Sequence, residues 1–118
     1  MKEHEEGVLL RIYIDETSRC KGHPLYEAIV QKARELNLAG ATVFKGVMGY
    51  GADSMIHTTK ILRLSEDLPM IIEIVDTRKN VNTLLPFLDE NVKDGLITME
   101  QVSVIRYNYH KKDKEPGI

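Results

Sequence analysis

Residues 46–51 read Gly-Val-Met-Gly-Tyr-Gly, and the chemistry of this chain gathers around them. Glycine reaches backbone angles closed to other residues and admits a ligand close to the main chain. Consecutive backbone N–H groups at a strand end suit phosphate. The spacing G-x-x-G-x-G is the reverse of the dinucleotide fingerprint, and the run lacks the Gly-Lys-Ser/Thr ending of a P-loop. Two readings stand here, a phosphate cradle and a structural turn. Arg106 is the second candidate, a permanent cation among Val104, Ile105 and Tyr107. Such an arginine suits a fork of hydrogen bonds to carboxylate or phosphate, or a salt bridge between subunits.

Other reactive residue types are scattered. His4, His23, His57 and His110 have no zinc spacing and no cysteine partners, so no metal site is expected. His23 reads as a capping or packing residue, and His57 as a solvent-facing strand residue or a contact for a ligand or partner. Ser18, Ser54 and Ser65 lack a nucleophile's context, and no Ser–His–Asp set is present. No residue is assigned to catalysis. Glu66–Asp67 and Asp89–Glu90 read as solvated charges. The lone Cys20 excludes an internal disulfide and reads as an exposed thiol, although Arg19 and Lys21 could lower its pKa.

The elements that must position these residues follow from periodicity. Gly7–Ile14 alternates Val8, Leu10, Ile12 and Ile14 against Leu9, Arg11 and Tyr13, a strand with one apolar and one mixed face. Asp15–Gly22 reads as a polar loop. His23–Pro24 opens a helix, with the proline in the first turn. Leu25, Ala28, Ile29, Ala33 and Leu36 form its buried stripe, and Asn37 to Gly40 ends it. Ala41–Val47 is the second strand. About twenty residues then pass before the strand Met70–Val75, an unusually long connection. Ile56–Leu64 alternates within it, so the excursion reads as a hairpin or as a recognition loop hinged on Gly46, Gly49 and Gly51. Thr77 and Asp76 are capping candidates for a second helix, with Val81, Leu84, Leu85, Leu88 and Val92 inward and a kink or break at Pro86. Gly95 suits a left-handed position after it. Val102–Tyr109 reads as the last strand and His110–Ile118 as a loose tail.

The order strand, helix, strand, excursion, strand, helix, strand predicts an α+β, ferredoxin-like βαββαβ sandwich. The expectation is one domain over residues 1–118, with its core at about 7–109. Both helices must share one sheet face, and the other is too apolar to stay bare, so self-association follows. Hydrophobic residues make up 42% and charged residues 29% of the 118, an ordinary balance for a water-soluble protein. A net charge of −2 gives no basic field for nucleic acid, and no K/R-G-F/Y-G/A-F-V-x-F/Y run accompanies Tyr13 and Tyr107. The acidic start MKEHEEG is unlike a signal or transit peptide, and with one cysteine it predicts a cytoplasmic protein.

The segments KGHPLYEAIV, LAGATVFKGVMGYG, IHT, LSEDLPMIIEIVD and DGLIT together resemble the PII-like signalling proteins, in the branch catalogued as domain of unknown function 190. The resemblance spans nearly all of Gly7–Tyr109. It implies a homotrimer with an adenine nucleotide (ATP, ADP or AMP) in clefts between subunits. It also implies a mobile T-loop that docks onto a partner protein, a membrane protein met peripherally included. Lys45, Gly46, Gly49 and Gly51 match the T-loop base, and Tyr50 falls within that nucleotide-binding set. Asp94 and Gly95 match the B-loop, and Arg106 a phosphate-contacting arginine. His57, Thr58, Thr59 and Lys60 fall on the loop that would meet the partner.

The chain also departs from PII proteins proper. Asp15–Gly22 is a longer loop than theirs, and the B-loop offers only Val92-Lys93 in place of Thr-Gly-Lys-Ile. Asn108 stands where a second arginine is expected, and the glutamine that helps bind 2-oxoglutarate and magnesium has no counterpart after Gly51. The loop tip has Thr58-Thr59-Lys60 and no tyrosine for nucleotidylylation. The implied function is a non-catalytic, nucleotide-responsive regulator. The alternatives are a small enzyme acting on a phosphate ester or other small anion, and a metal-responsive trimer. An acylphosphatase-like enzyme would carry G-x-V-Q-G-V-x-F-R, which the sequence lacks.

Overall fold

Val8, Leu10, Ile12 and Ile14 are all nearly inaccessible to solvent, and they make Glu5–Asp15 (β1) a central strand of the sheet. The computed structural model describes residues 5–50, 57–58 and 68–108. Pro69–Asp76 (β7) pairs with β1 on one side and Leu96–Val104 (β8) on the other, while Thr42–Lys45 (β4) closes the far edge. The order is β4-β7-β1-β8, antiparallel throughout. This is the ferredoxin-like arrangement expected from the sequence.

Directly paired residues share a sheet face. Val8, Leu10, Ile12 and Ile14 therefore lie with Met70, Ile72 and Ile74, and the helices cover that side. Leu25–Glu35 (α1) contributes Leu25, Ile29 and Ala33 to the core, as its stripe requires. Leu25 and Ile29 each contribute about 1.5–3 kcal/mol when removed from water. The helix stops at Asn37, where φ is 62°. The Asn37 N–H donates to the Arg34 carbonyl and the Leu38 N–H to the Ala33 carbonyl, both at 3.0 Å. That is a Schellman ending, with asparagine in the left-handed position.

The entry to α1 differs from expectation. Pro24 precedes the first helical residue, with φ −58° and ψ 132°, and no side chain caps the helix, so His23 is no cap. Within Asp15–Gly22 the backbone turns back on itself. Arg19–Cys20 (β2) pairs with His23–Pro24 (β3) across Lys21 and Gly22, whose φ values are 50° and 84°. Two consecutive positive φ angles are what a two-residue I′ turn needs. The Leu25 N–H donates to the Ser18 carbonyl, which joins the hairpin to the helix start.

The second helical segment breaks near Pro86, as expected. Arg78–Asn82 (α2) starts at Thr77, whose hydroxyl accepts from the Asn80 N–H, and Leu85–Asn91 (α3) carries Pro86 in its first turn. Val81, Leu84 and Leu88 are buried. Asp76 is buried too, and its oxygens accept from the Ala39 N–H, the Thr77 N–H and the Asn80 amide.

The last strand is the main correction. It runs from Leu96 to Val104 instead of Val102–Tyr109. Ile97 and Met99 pair with Ile12 and Leu10 on the helix face, whereas Val102 and Val104 pair with Gly7 and Glu5 on the other. The apolar alternation changes phase at Glu100–Gln101, so a period-2 reading catches only the final stretch. The second strand is also shorter than Ala41–Val47, ending at Lys45. No described helix is long and apolar enough to cross a membrane.

Candidate functional site

The register gathers the glycine run and Asp94–Gly95 at one end of the sheet. Lys45 pairs with Met70 and Met70 with Ile14. Continuing the β1–β8 register by one residue beyond Tyr13–Leu96 sets Gly95 opposite Ile14. Lys45 and Gly95 thus end a single row of four strands, about 14 Å apart at strand spacing.

Gly46 and Gly49 are close-packed here, not left-handed. The Gly46 N–H donates to the Pro69 carbonyl at 2.7 Å, so this amide is spent inside the fold and is not open to phosphate. A Cβ on Gly46 would meet Pro69 Cγ at 2.8 Å, and one on Gly49 would meet it at 3.1 Å. Among the described glycines only Gly22 has a positive φ, which also corrects the left-handed expectation for Gly95. A Cβ on Gly95 would lie 2.6 Å from the Tyr13 carbonyl oxygen, so the position needs glycine because β1 passes so close.

Beyond Gly46, Met48–Gly49 (β5) pairs with His57–Thr58 (β6), which brings the latter pair beside the loop base. Val47, Met48 and Tyr50 are exposed. Gly51, Thr59, Lys60, most of the Ile56–Leu64 alternation and the tail lie outside the described residues.

Lys45 supplies a cation at this end. Its Nζ lies 3.0 Å from Glu16 Oε2, while Glu16 Oε1 is buried and has no hydrogen-bond partner among the described residues. Sequence reading did not single out Glu16, which lies against the candidate residue Lys45. Only the register brings it to Lys45, though its place directly after the first strand was a signal.

Arg106 lies elsewhere. It is exposed and follows the end of β8, so it does not sit in a strand. Its neighbour Tyr107 donates through its hydroxyl to the Ala39 carbonyl at 3.3 Å, at the end of the sheet where Asp76 binds Ala39. The length of β8, about 26 Å, separates this end from Asp94–Gly95. One protomer cannot bring Arg106 and Lys45 to the same small ligand.

The face away from the helices carries Leu9, Tyr13, Ile71, Val75, Phe44 and Leu96 by register. Arg11 and Glu73 cross its centre in a 2.9 Å ion pair, and that hydrogen bond is the main cause of a raised Arg11 pKa. On the helix side a groove of about 420 Å³ runs between α1, α3 and the β2–β3 hairpin, lined by Cys20, His23, Lys32, Phe87 and Asn91 among others. The half-buried Cys20, expected to be exposed, donates its thiol to Asn91 there. Among the described residues no group of three His, Cys, Asp or Glu could hold a metal ion.

The family model for DUF190, described as an uncharacterized ACR, matches residues 7–104. The chain belongs to this family. A UPF0166 protein of Aquifex aeolicus is 38% identical over 100 residues, covering 82% of this chain and 91% of that protein. A UPF0166 protein of Methanocaldococcus jannaschii is also 38% identical, over 99 residues, covering 83% and 91%. Among solved structures the chain is similar to CPII, a nitrogen regulatory PII-like protein of Thiomonas intermedia bound to ADP, AMP and bicarbonate. The TM-score is 0.63 at 16% identity, over 86% of this chain and 90% of CPII. It is likewise similar to a candidate PII-like signalling protein of Thermus thermophilus, with a TM-score of 0.64 at 16% identity over 86% and 91%. The fold of this chain is PII-like.

Proposed function

We propose that this chain is a non-catalytic PII-like regulator that binds an adenine nucleotide between subunits of a homotrimer. The observation that carries the reading is the division of the site. Lys45 and Asp94–Gly95 stand at one end of the sheet, and Arg106 is exposed beyond the other. These cations reach one phosphate chain only when two protomers supply them, so the cleft belongs to the assembly. The apolar open face gives that assembly its driving force. CPII, which shares the fold, is bound to ADP and AMP, which favours an adenine nucleotide here.

The residues fit such a ligand by their chemistry. Lys45 is half-exposed and offers ammonium donors, and Arg106 offers a planar fork suited to phosphate oxygens. The excursion, with His57, Thr58, Thr59 and Lys60, would then carry the signal to a partner protein. Its base, Met48–Gly49 against His57–Thr58, adjoins Pro69 and the Lys45 end of the site. A ligand shifts such a loop only by its difference in affinity between loop states, a coupling of about 1–3 kcal/mol in typical cases.

Calorimetry with ATP, ADP, AMP and cyclic dinucleotides, followed by a turnover assay on the same samples, tests the reading. Binding of an adenine nucleotide without turnover is expected. Sustained hydrolysis would favour the enzyme alternative, and the absence of nucleotide binding would remove the proposal.

A further inference from the structure

We propose that Glu16 sets which phosphate-bearing ligand the Lys45 end of the site accepts, by holding Lys45 as a counter-ion against the ligand. This deepens the nucleotide reading above and rests on it.

The pair is built into the backbone. The Glu16 N–H donates to the Leu68 carbonyl at 2.8 Å and the Gly46 N–H to the Pro69 carbonyl at 2.7 Å. Leu68 is buried, so Glu16 and the residue after Lys45 are anchored on consecutive peptide units at the start of β7. The 3.0 Å contact is therefore held from both sides, unlike a meeting of two free surface side chains.

The two partners are unequally placed. The Glu16 side chain is 26% exposed and the Lys45 side chain 52%. The carboxylate is the fixed member, and the ammonium is the one a ligand meets. Among the described residues Glu16 Oε1 is buried without a hydrogen-bond partner, and Lys45 supplies the charge compensation of this carboxylate. A phosphate that captures Lys45 leaves that carboxylate uncompensated and adds its own negative charge beside it. The repulsion grows with each phosphate. Glu16 therefore narrows the site toward ligands with few phosphate charges. Lys45 alone would favour the opposite order.

The test measures AMP, ADP and ATP affinities by calorimetry on the full-length chain and on Glu16→Gln, Lys45→Met and the double variant. Glu16→Gln is expected to tighten ATP by about tenfold and AMP by only about two- to threefold, raising the ATP-to-AMP affinity ratio. The gain should vanish in the Lys45→Met background, a result that a merely structural effect of Glu16 would not give. Wild-type binding with an unchanged ratio in Glu16→Gln, or a gain that survives Lys45→Met, overturns the role of Glu16 and leaves the nucleotide reading intact. Binding by Glu16→Gln alone supports the role of Glu16 while removing the nucleotide reading for the natural chain. Binding by neither overturns both.

Discussion

Gly95 faces the carbonyl oxygen of Tyr13 so closely that a Cβ on Gly95 would lie 2.6 Å from that oxygen, with Val92 Cγ1 at 3.0 Å. The oxygen belongs to β1 and cannot yield without disturbing the strand that both neighbours pair with. Gly95→Ala should therefore lose about 1–3 kcal/mol of stability, the usual cost of overpacking. Asparagine is the discriminating control, because a left-handed position tolerates it. Here it brings the same Cβ and should cost at least as much. Chemical denaturation of the two variants checks this, and a neutral Gly95→Asn would refute the close-approach account.

Gly46 makes the same argument with a side chain as its neighbour. The added Cβ would meet Pro69 Cγ at 2.8 Å, in a ring that cannot rotate away. Gly46→Ala is expected to destabilise by about 1–3 kcal/mol. Most of that loss should return in Gly46→Ala/Pro69→Ala, since the two residues share one contact. Denaturation midpoints for the cycle decide it. Additive losses would mean that the glycine serves something other than Pro69.

These two glycines also mark how far the sequence could be read. Val8 to Ile14, the α1 stripe, Thr77 and the break at Pro86 were legible because each is a local pattern with a local cause. For the candidate site, glycine spacing drew attention to Lys45–Gly51, and a cation among apolar residues, read as strand although β8 ends at Val104, drew it to Arg106. The reasons for the glycines were not legible, since close approach depends on which strand passes nearby. The strand Leu96–Val104 was misread because Glu100–Gln101 shifts its apolar positions from one face to the other. Glu16 escaped notice because its partner lies on another strand, and only the register of β1, β7 and β4 joins them. The hairpin at Arg19–Pro24 was signalled by Lys21-Gly22, a lysine before a glycine where asparagine or aspartate is the stronger sign.

Ile71 tests the open face. It pairs with Tyr13 on one side and Phe44 on the other, on the face away from the described helices. In an isolated chain Ile71→Asp would cost only the partial packing of a half-buried side chain and some strand propensity, because the carboxylate would still reach water. In an assembly closed over this face, it would bury an unpaired carboxylate, which is strongly unfavourable. The expected outcome is a folded variant that fails to associate, read by light scattering over a dilution series beside the natural chain. A trimer of undiminished stability would show that this face is not the interface.

The sharpest prediction concerns the division of the site between protomers. Arg106→Ala should weaken nucleotide binding by about 1.5–3 kcal/mol, as expected for loss of a charge-assisted bond. Lys45→Met should also weaken it, from the other side of the cleft. If one protomer supplied both cations, mixing the two variants would restore nothing, because every site would still lack one of them. If the cations come from different protomers, a cleft that takes Lys45 from the arginine variant and Arg106 from the lysine variant is whole. Random exchange of subunits makes about a quarter of the clefts whole, about a quarter doubly defective and the rest singly defective. Calorimetry on variants unfolded and refolded together should thus recover a minority of sites with wild-type affinity, and separately refolded samples none. If both residues touch the ligand, their separation by the length of β8 requires that recovery, and its absence would mean that Arg106 does not touch the ligand bound at Lys45.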